Sequence, residues 1–302
     1  MKKLALLVGN DRYRDAKLTR LAVPKADVRA LEGVLKRREL CGFDDVTVLL
    51  NPPLAVAMMA IGHLFQGRRR DDLVLFYFSG HGLLDSSGDL YLAFPQSQYD
   101  APLGTTLSAS FVKEAMNKSG SRRQVLILDC CYSGAFDRGT KGAGAPAVTE
   151  STFEVRGYGR EILTSSAATQ LAWEGQELIG ETDRSLFTHF LVEGLETGAA
   201  APQESETITV EQLYHYAHDR VIAITPAMTP QRWADRLQGS LAIARNPRWR
   251  MEPKPLPEPL LKALIDEAPF VREGAVRELG RLLRIPLKSA THSSGRLPPS
   301  PG

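Results

Sequence analysis

Val125-Leu126-Ile127-Leu128-Asp129-Cys130-Cys131-Tyr132-Ser133-Gly134 is the stretch on which the fold turns, because an apolar run delivers a cysteine pair to a glycine-ended turn. About 50 residues earlier, Leu73-Val74-Leu75-Phe76-Tyr77-Phe78-Ser79-Gly80-His81-Gly82 does the same for a histidine. Apolar runs without alternation are those of strands buried on both faces of a parallel sheet. Side chains that follow such strands emerge together at the carboxyl edge, and neighbouring strands stand about 5 Å apart. His81 and Cys131 can therefore meet although the chain between them is long. A thiol of ordinary pKa, about 8.5, is only a few per cent thiolate at neutral pH, and a nearby imidazole either takes its proton or stabilises the anion. Alone, a cysteine is most simply a small buried hydrophobe and a His-Gly a turn. Their joint placement at two strand ends reads as a nucleophile with its base.

Outward from these runs the chain alternates. An opening strand from Lys3 precedes a helix over Lys25–Leu40, where Val28, Leu31, Val34 and Leu35 recur at helical spacing. A strand at Val46–Leu50 and a helix at Leu54–Phe65 lead to the His81 strand, and a helix at Ser108–Lys118 leads to the Cys131 strand. A strand at Glu161–Ser165 and helices at Leu186–Thr197 and Thr209–Val221 follow. Such βαβ alternation predicts an α/β domain with a mainly parallel sheet covered by helices on both faces.

Tyr77-Phe78-Ser79-Gly80-His81-Gly82 and Asp129-Cys130-Cys131-Tyr132-Ser133-Gly134 resemble the Y-x-S-G-H-G and D-x-C-H-S-G motifs of caspase-like cysteine peptidases (family C14), in the metacaspase and bacterial caspase-homologue branch. The likeness extends to Lys3–Asn10, Ile162–Ala167 and Ser185–Thr188. It implies a caspase-like three-layer sandwich with a sheet of about six strands, spanning residues 1–247. Position by position, Cys131 matches the family nucleophile, His81 the general base and Cys130 only a variable neighbour. Strand alternation agrees, since adjacent residues point to opposite sides. Tyr132 departs from the family's more common histidine, a change of packing rather than mechanism. The resemblance also gives the backbone amides of Gly82 and Cys131 as oxyanion donors, although Gly82 by itself reads as a turn glycine.

The same resemblance implies an acidic S1 pocket of Asp27, Ser79 and Asp129, which suits Arg or Lys because a guanidinium offers a fork of donors to paired oxygens. Read alone, Asp27 is an exposed carboxylate near a helix start. The expected partner is a protein substrate with a basic P1 residue. An animal-caspase preference for Asp would need arginines that the matching positions lack. The aspartate cluster through which many metacaspases bind calcium is not recognisable around Asp85, Asp89 and Asp137, and a hard cation wants six or more oxygens; no metal and no cofactor is expected. The family further suggests a bacterial defence or regulated-death setting with a gasdermin-like substrate. The alternative is a catalytically silent scaffold.

A net charge of +2 over 302 residues leaves no broad nucleic-acid footprint, and Arg68-Arg69-Arg70 reads as a solvated loop. Three cysteines are too few for a disulfide framework. The apolar run at the start is too short for a signal peptide, and no run approaches the roughly 20 residues of a membrane span. The expectation is a cytoplasmic protein, with no membrane partner. Residues 137–160 read as a glycine-rich loop carrying Arg138, Lys141, Arg156 and Arg160, and the stretch resembles the place where caspase-type zymogens are cut, which implies self-cleavage within it. Pro253, Pro255, Pro257 and Pro259 make 248–259 an extended linker, and two amphipathic patterns in 260–285 resemble a HEAT-type helix pair. One such pair cannot bury its apolar face alone; it must dock on the peptidase, on a second copy or on a protein partner. The tail, 286–302, is read as disordered.

Overall fold

The computed structural model describes residues 1–85, 87–130, 132–133, 159–165, 184–226, 228–235, 239–250 and 256–282. The chain divides into two units, residues 1–250 and 251–302. In the first, β1 (Lys3–Gly9), α1 (Pro24–Lys36), β2 (Asp45–Leu50), α2 (Leu54–Phe65) and β3 (Leu73–Ser79) open the alternation. Short elements β4 (Gly82–Leu84), β5 (Leu90–Leu92), α3 (Pro102–Thr105) and β6 (Leu107–Ser108) precede α4 (Ala109–Lys118). There follow β7 (Arg123–Asp129), β8 (Tyr132–Ser133), β9 (Arg160–Thr164), α5 (Leu186–Thr197), β10 (Thr207–Thr209), α6 (Val210–Ile224), β11 (Gln231–Asp235) and β12 (Ala242–Arg245).

The main sheet has six strands in the order β11-β9-β7-β3-β1-β2. All pairs are parallel except β11 against β9. Its side chains divide by strand period. Leu7, Leu75, Tyr77, Ile127 and Leu163 face α1, α5 and α6 through Val28, Leu31, Phe187, Leu191 and Leu213. Val8, Phe76, Phe78, Leu128 and Ile162 face α2 and α4 through Ile61, Phe65, Val112 and Met116. This is the three-layer sandwich expected from the sequence. Every residue of β3 is buried, and each large side chain so enclosed stabilises the fold by about 1.5–3 kcal/mol.

Three expectations change. The first helix stops at Lys36 rather than Leu40, because Leu40 and Cys41 are drawn into the core and the chain turns back at Gly42, whose φ is +58°. Arg68 is not merely solvated: its Nε and Nη2 donate to the carbonyls of Leu64 and His63 at 2.7 and 2.6 Å, closing the carboxyl end of α2. A side sheet ordered β6-β5-β4-β8 lies beyond the apolar runs where only turns were expected.

The second unit carries α7 (Glu258–Leu264) and α8 (Pro269–Leu282), which pack against each other. Residues 251–255 of the stretch expected as a linker at 248–259, and the whole tail, lie outside the described residues; the linker ends sooner than expected, because Glu258 and Pro259 already form the first turn of α7, where a missing amide proton costs no bond. Among the described residues no helix is long and apolar enough to cross a membrane.

Candidate active site

β1, β3 and β7 end in register, with Gly9 beside Ser79 and Ser79 beside Asp129. His81 follows β3 at this edge and is partly exposed. Its Nε2 lies 2.8 Å from the carbonyl oxygen of Thr19. A carbonyl only accepts, so Nε2 carries the proton and Nδ1 is the basic nitrogen of the neutral ring. Tyr13 sets the ring from the other direction. Its hydroxyl accepts the His81 amide at 3.0 Å and donates to the Asn10 carbonyl at 2.8 Å, and the two ring centroids are 4.9 Å apart. Burial holds the Tyr13 phenol protonated far above its ordinary range. Gly80 makes room, since a Cβ there would stand 3.0 Å from the Tyr13 oxygen and 2.9 Å from Phe78 Cζ.

The loop that brings Tyr13 and Thr19 to His81 is pinned to β2. Asn51, with φ +51°, accepts the amides of Asp11 and Arg12 on Oδ1 at 3.0 and 3.2 Å, and its Nδ2 donates to Asp11 Oδ1 at 2.5 Å. Asparagine tolerates this left-handed backbone because its short amide bonds locally.

Cys131 lies outside the described residues, as do residues 137–158 of the loop expected at 137–160; the end of that stretch is no loop, because Arg160 opens β9 and is buried, its guanidinium donating to Asn117 Oδ1 and to the Met116 carbonyl at 2.5 and 2.7 Å. The chain on either side is described. Gly82 pairs with Tyr132 and Leu83 with Ser133 in parallel, so the segment after His81 runs beside the segment after position 131. Cys130 is buried in the apolar layer with Phe78 and Leu128. Gly82 is buried in β4 and is no simple turn residue.

Asp27, Ser79 and Asp129 come together at the same edge. Ser79 Oγ donates to Asp27 Oδ2 at 3.0 Å, and the Ser185 amide donates to Asp27 Oδ1 at 2.9 Å. Asp129 Oδ2 accepts from Ser185 Oγ, from Thr188 Oγ1 at 2.6 Å and from the Tyr77 hydroxyl at 3.4 Å. Asp27 is fully buried, so the exposed reading of that residue is wrong. Gly9 is the reason it can be: a Cβ at position 9 would stand 2.9 Å from the Pro24 carbonyl and from Val28 Cγ2, and its absence lets α1 bring Asp27 to the strand ends. Desolvation raises Asp27 well above the carboxylate range, the Asp129 charge adds to it, and the donors Ser185 and Ser79 oppose it. Desolvation likewise raises Asp129 against its hydroxyl donors. Such a pair is electrostatically frustrated until a cation joins it.

Thr19, Tyr13, Asn51, Ser185 and Thr188 had not been singled out as site residues. Ser185 is legible as a helix N-cap from its place before an apolar helical run, but not its second bond to Asp129. Thr19 acts through its main chain, which no side-chain pattern reveals. Among the described residues no three His, Cys, Asp or Glu side chains gather as a metal site would require.

The family model of the caspase domain matches residues 2–238. No curated protein matches in sequence. Among solved structures, the chain is similar to a protein from Geobacter sulfurreducens at 17% identity and TM-score 0.55, covering 83% of this chain and 100% of that one. It is also similar to pro-sf-caspase-1 at 16% identity and TM-score 0.56, covering 80% and 90% of the two chains. The chain belongs to the caspase-domain family.

Proposed function

We propose that this member of the caspase-domain family is a cysteine endopeptidase that cleaves proteins after Arg or Lys. Cys131 is the nucleophile and His81 Nδ1 its base. The thiol proton passes to Nδ1, the thiolate attacks the scissile carbonyl, and the amides of Gly82 and Cys131 receive the oxyanion. The imidazolium then protonates the leaving amine, and water, deprotonated by the same nitrogen, releases the acyl group. Thr19 takes the place that a carboxylate holds in a triad: its carbonyl fixes the tautomer and favours the imidazolium. Asp27, Ser79 and Asp129 receive the P1 cation.

The observation that carries the reading is the acid pair itself. Two carboxylates and a hydroxyl converge at the sheet edge that carries His81, and the charge of Arg184 acts on Asp27. Burying two acids together is costly, and a guanidinium or ammonium from substrate offsets that cost.

Hydrolysis of fluorogenic peptides ending in Arg, Lys or Asp is the direct test, with Cys131→Ala as control. Arg and Lys peptides should be cut and the Asp peptide left intact. Cleavage after Asp alone would remove the pocket assignment, and a Cys131→Ala protein as active as wild type would remove the mechanism.

A further inference from the structure

The head of α5 is tied to both carboxylates through one residue. Ser185 gives its amide proton to Asp27 and its hydroxyl proton to Asp129, while its hydroxyl oxygen accepts the Thr188 amide at 3.1 Å. A serine has one hydroxyl proton and spare lone pairs, so capping the helix and holding Asp129 do not compete. Thr188, one turn further on, adds a second hydroxyl to the same Asp129 oxygen. The positive end of a twelve-residue helix thus meets the acid pair.

We propose that Ser185 is the positioning residue of the acidic pocket: it fixes Asp129 beside Asp27 and supplies the donors that hold the pair ready for a cationic side chain. The inference rests on reading the pair as a pocket for Arg or Lys. The Tyr77 phenol from β3 and Arg184 ahead of α5 also act on the pair. Loss of the Ser185 hydroxyl leaves Asp129 with Thr188, Ser165 and Tyr77 and leaves Asp27 with the Ser185 amide and the Ser79 hydroxyl. The effect therefore falls on one acid of the two. Without that donor Asp129 takes up a proton more readily, and a protonated acid does not attract a cation.

Ser185→Ala and Ser185→Thr in the full chain test this. Threonine keeps both the cap and the hydroxyl. For an Arg peptide, the acidic limb of kcat/KM should move up by about one pH unit in the alanine variant. KM should rise about tenfold at the low-pH end and far less at the high end, with kcat nearly unchanged; threonine should restore both.

A readout free of catalysis uses the Cys131→Ala chain. Its unfolding temperature is followed against pH, and benzamidine, a small cation, is titrated by calorimetry. A buried pair of this kind makes stability fall as pH rises above the unfolded carboxylate value of about 4. In Ser185→Ala that fall should extend to higher pH, and benzamidine should bind more weakly at low pH than at high. A loss of stability equal at all pH, with an unmoved profile, overturns the inference and leaves only a helix cap. An extended fall in a protein that neither binds benzamidine nor cuts Arg peptides upholds the hold of Ser185 on the pair and removes the cationic pocket instead.

Discussion

Tyr13 and His81 are bound by backbone and ring at once: the phenol oxygen accepts the His81 amide at 3.0 Å while the rings stand 4.9 Å apart. The imidazole is thereby held between an aromatic face and the Thr19 carbonyl, with Nδ1 as the basic nitrogen. Preorganisation of this kind matters because a base out of place by about 1 Å costs on the order of 100-fold in rate.

Tyr13→Phe keeps the ring and removes the oxygen. The His81 amide and the Asn10 carbonyl then lose a partner in a buried setting, a cost of about 1–3 kcal/mol. We expect kcat to fall about tenfold with KM little changed, and steady-state kinetics on an Arg peptide will show it. A rise in KM alone would mean that Tyr13 serves the pocket rather than the base.

Asp27→Asn should separate stability from activity. Burial raises the folded pKa of Asp27, so its contribution is fully present below the unfolded value of about 3.9 and is lost as pH rises through the folded one. Asparagine does not titrate, and it can satisfy the same neighbours: its oxygen accepts from the Ser185 amide and its nitrogen donates to Ser79 Oγ, which then serves as acceptor. The variant should unfold at a higher temperature than wild type at neutral and alkaline pH, with the advantage vanishing toward pH 4. Its kcat/KM for Arg peptides should drop about 100-fold or more, as when one partner of a buried charge pair is removed. Calorimetric scans across pH, set beside the kinetics, check both halves.

Strands β1, β3 and β7 were legible because they carry unbroken apolar runs, and the helices because Val28, Leu31 and Leu35, or Ile61 and Phe65, recur at helical spacing; the edge strand β11, Gln231-Arg232-Trp233-Ala234-Asp235, carries no such run and was not expected. The acid pair could be named only through motif likeness; nothing in the spacing of Asp27 and Asp129 shows that one serine amide and hydroxyl join them. The side sheet escaped notice because β4, β5 and β8 are two or three residues long, too short for a period to register. The Thr19 contact escaped for a different reason, since a main-chain carbonyl has no sequence signature.

The two adjacent cysteines should behave differently. Cys130 sits in the apolar layer between the sheet and α2 and α4, so Cys130→Ala should cost about 1 kcal/mol of stability and leave activity close to wild type. Cys131→Ala should abolish activity. If Arg138, Lys141 or Arg156 is cut by the enzyme itself, purified wild type will show fragments by mass spectrometry and Cys131→Ala will remain one chain. An intact wild-type chain under conditions where Arg peptides are hydrolysed would remove self-cleavage without touching the dyad.

Gly9→Ala probes how the pocket is assembled. The added methyl would meet the Pro24 carbonyl and Val28 Cγ2 at 2.9 Å each, below any ordinary contact distance, and Leu50 Cδ2 at 3.3 Å. Leucine and valine tips can yield, but the Pro24 carbonyl belongs to the first turn of α1 and can move only with the helix. Overpacking at such a site costs about 1–3 kcal/mol, and here the displacement is directed: Asp27, three residues beyond Pro24, is carried away from Ser79 and from the Ser185 amide. His81 hangs on Thr19 and Tyr13, which precede α1 in a loop that Asn51 holds through Asp11 and Arg12; Asn51 meets Gly9 only at its carbonyl, on the main chain and not where the methyl would be added. KM for Arg and Lys peptides should therefore rise severalfold while kcat at saturation changes little. An equal fall of kcat in the still-folded variant would show that α1 and the His81 loop move as one body.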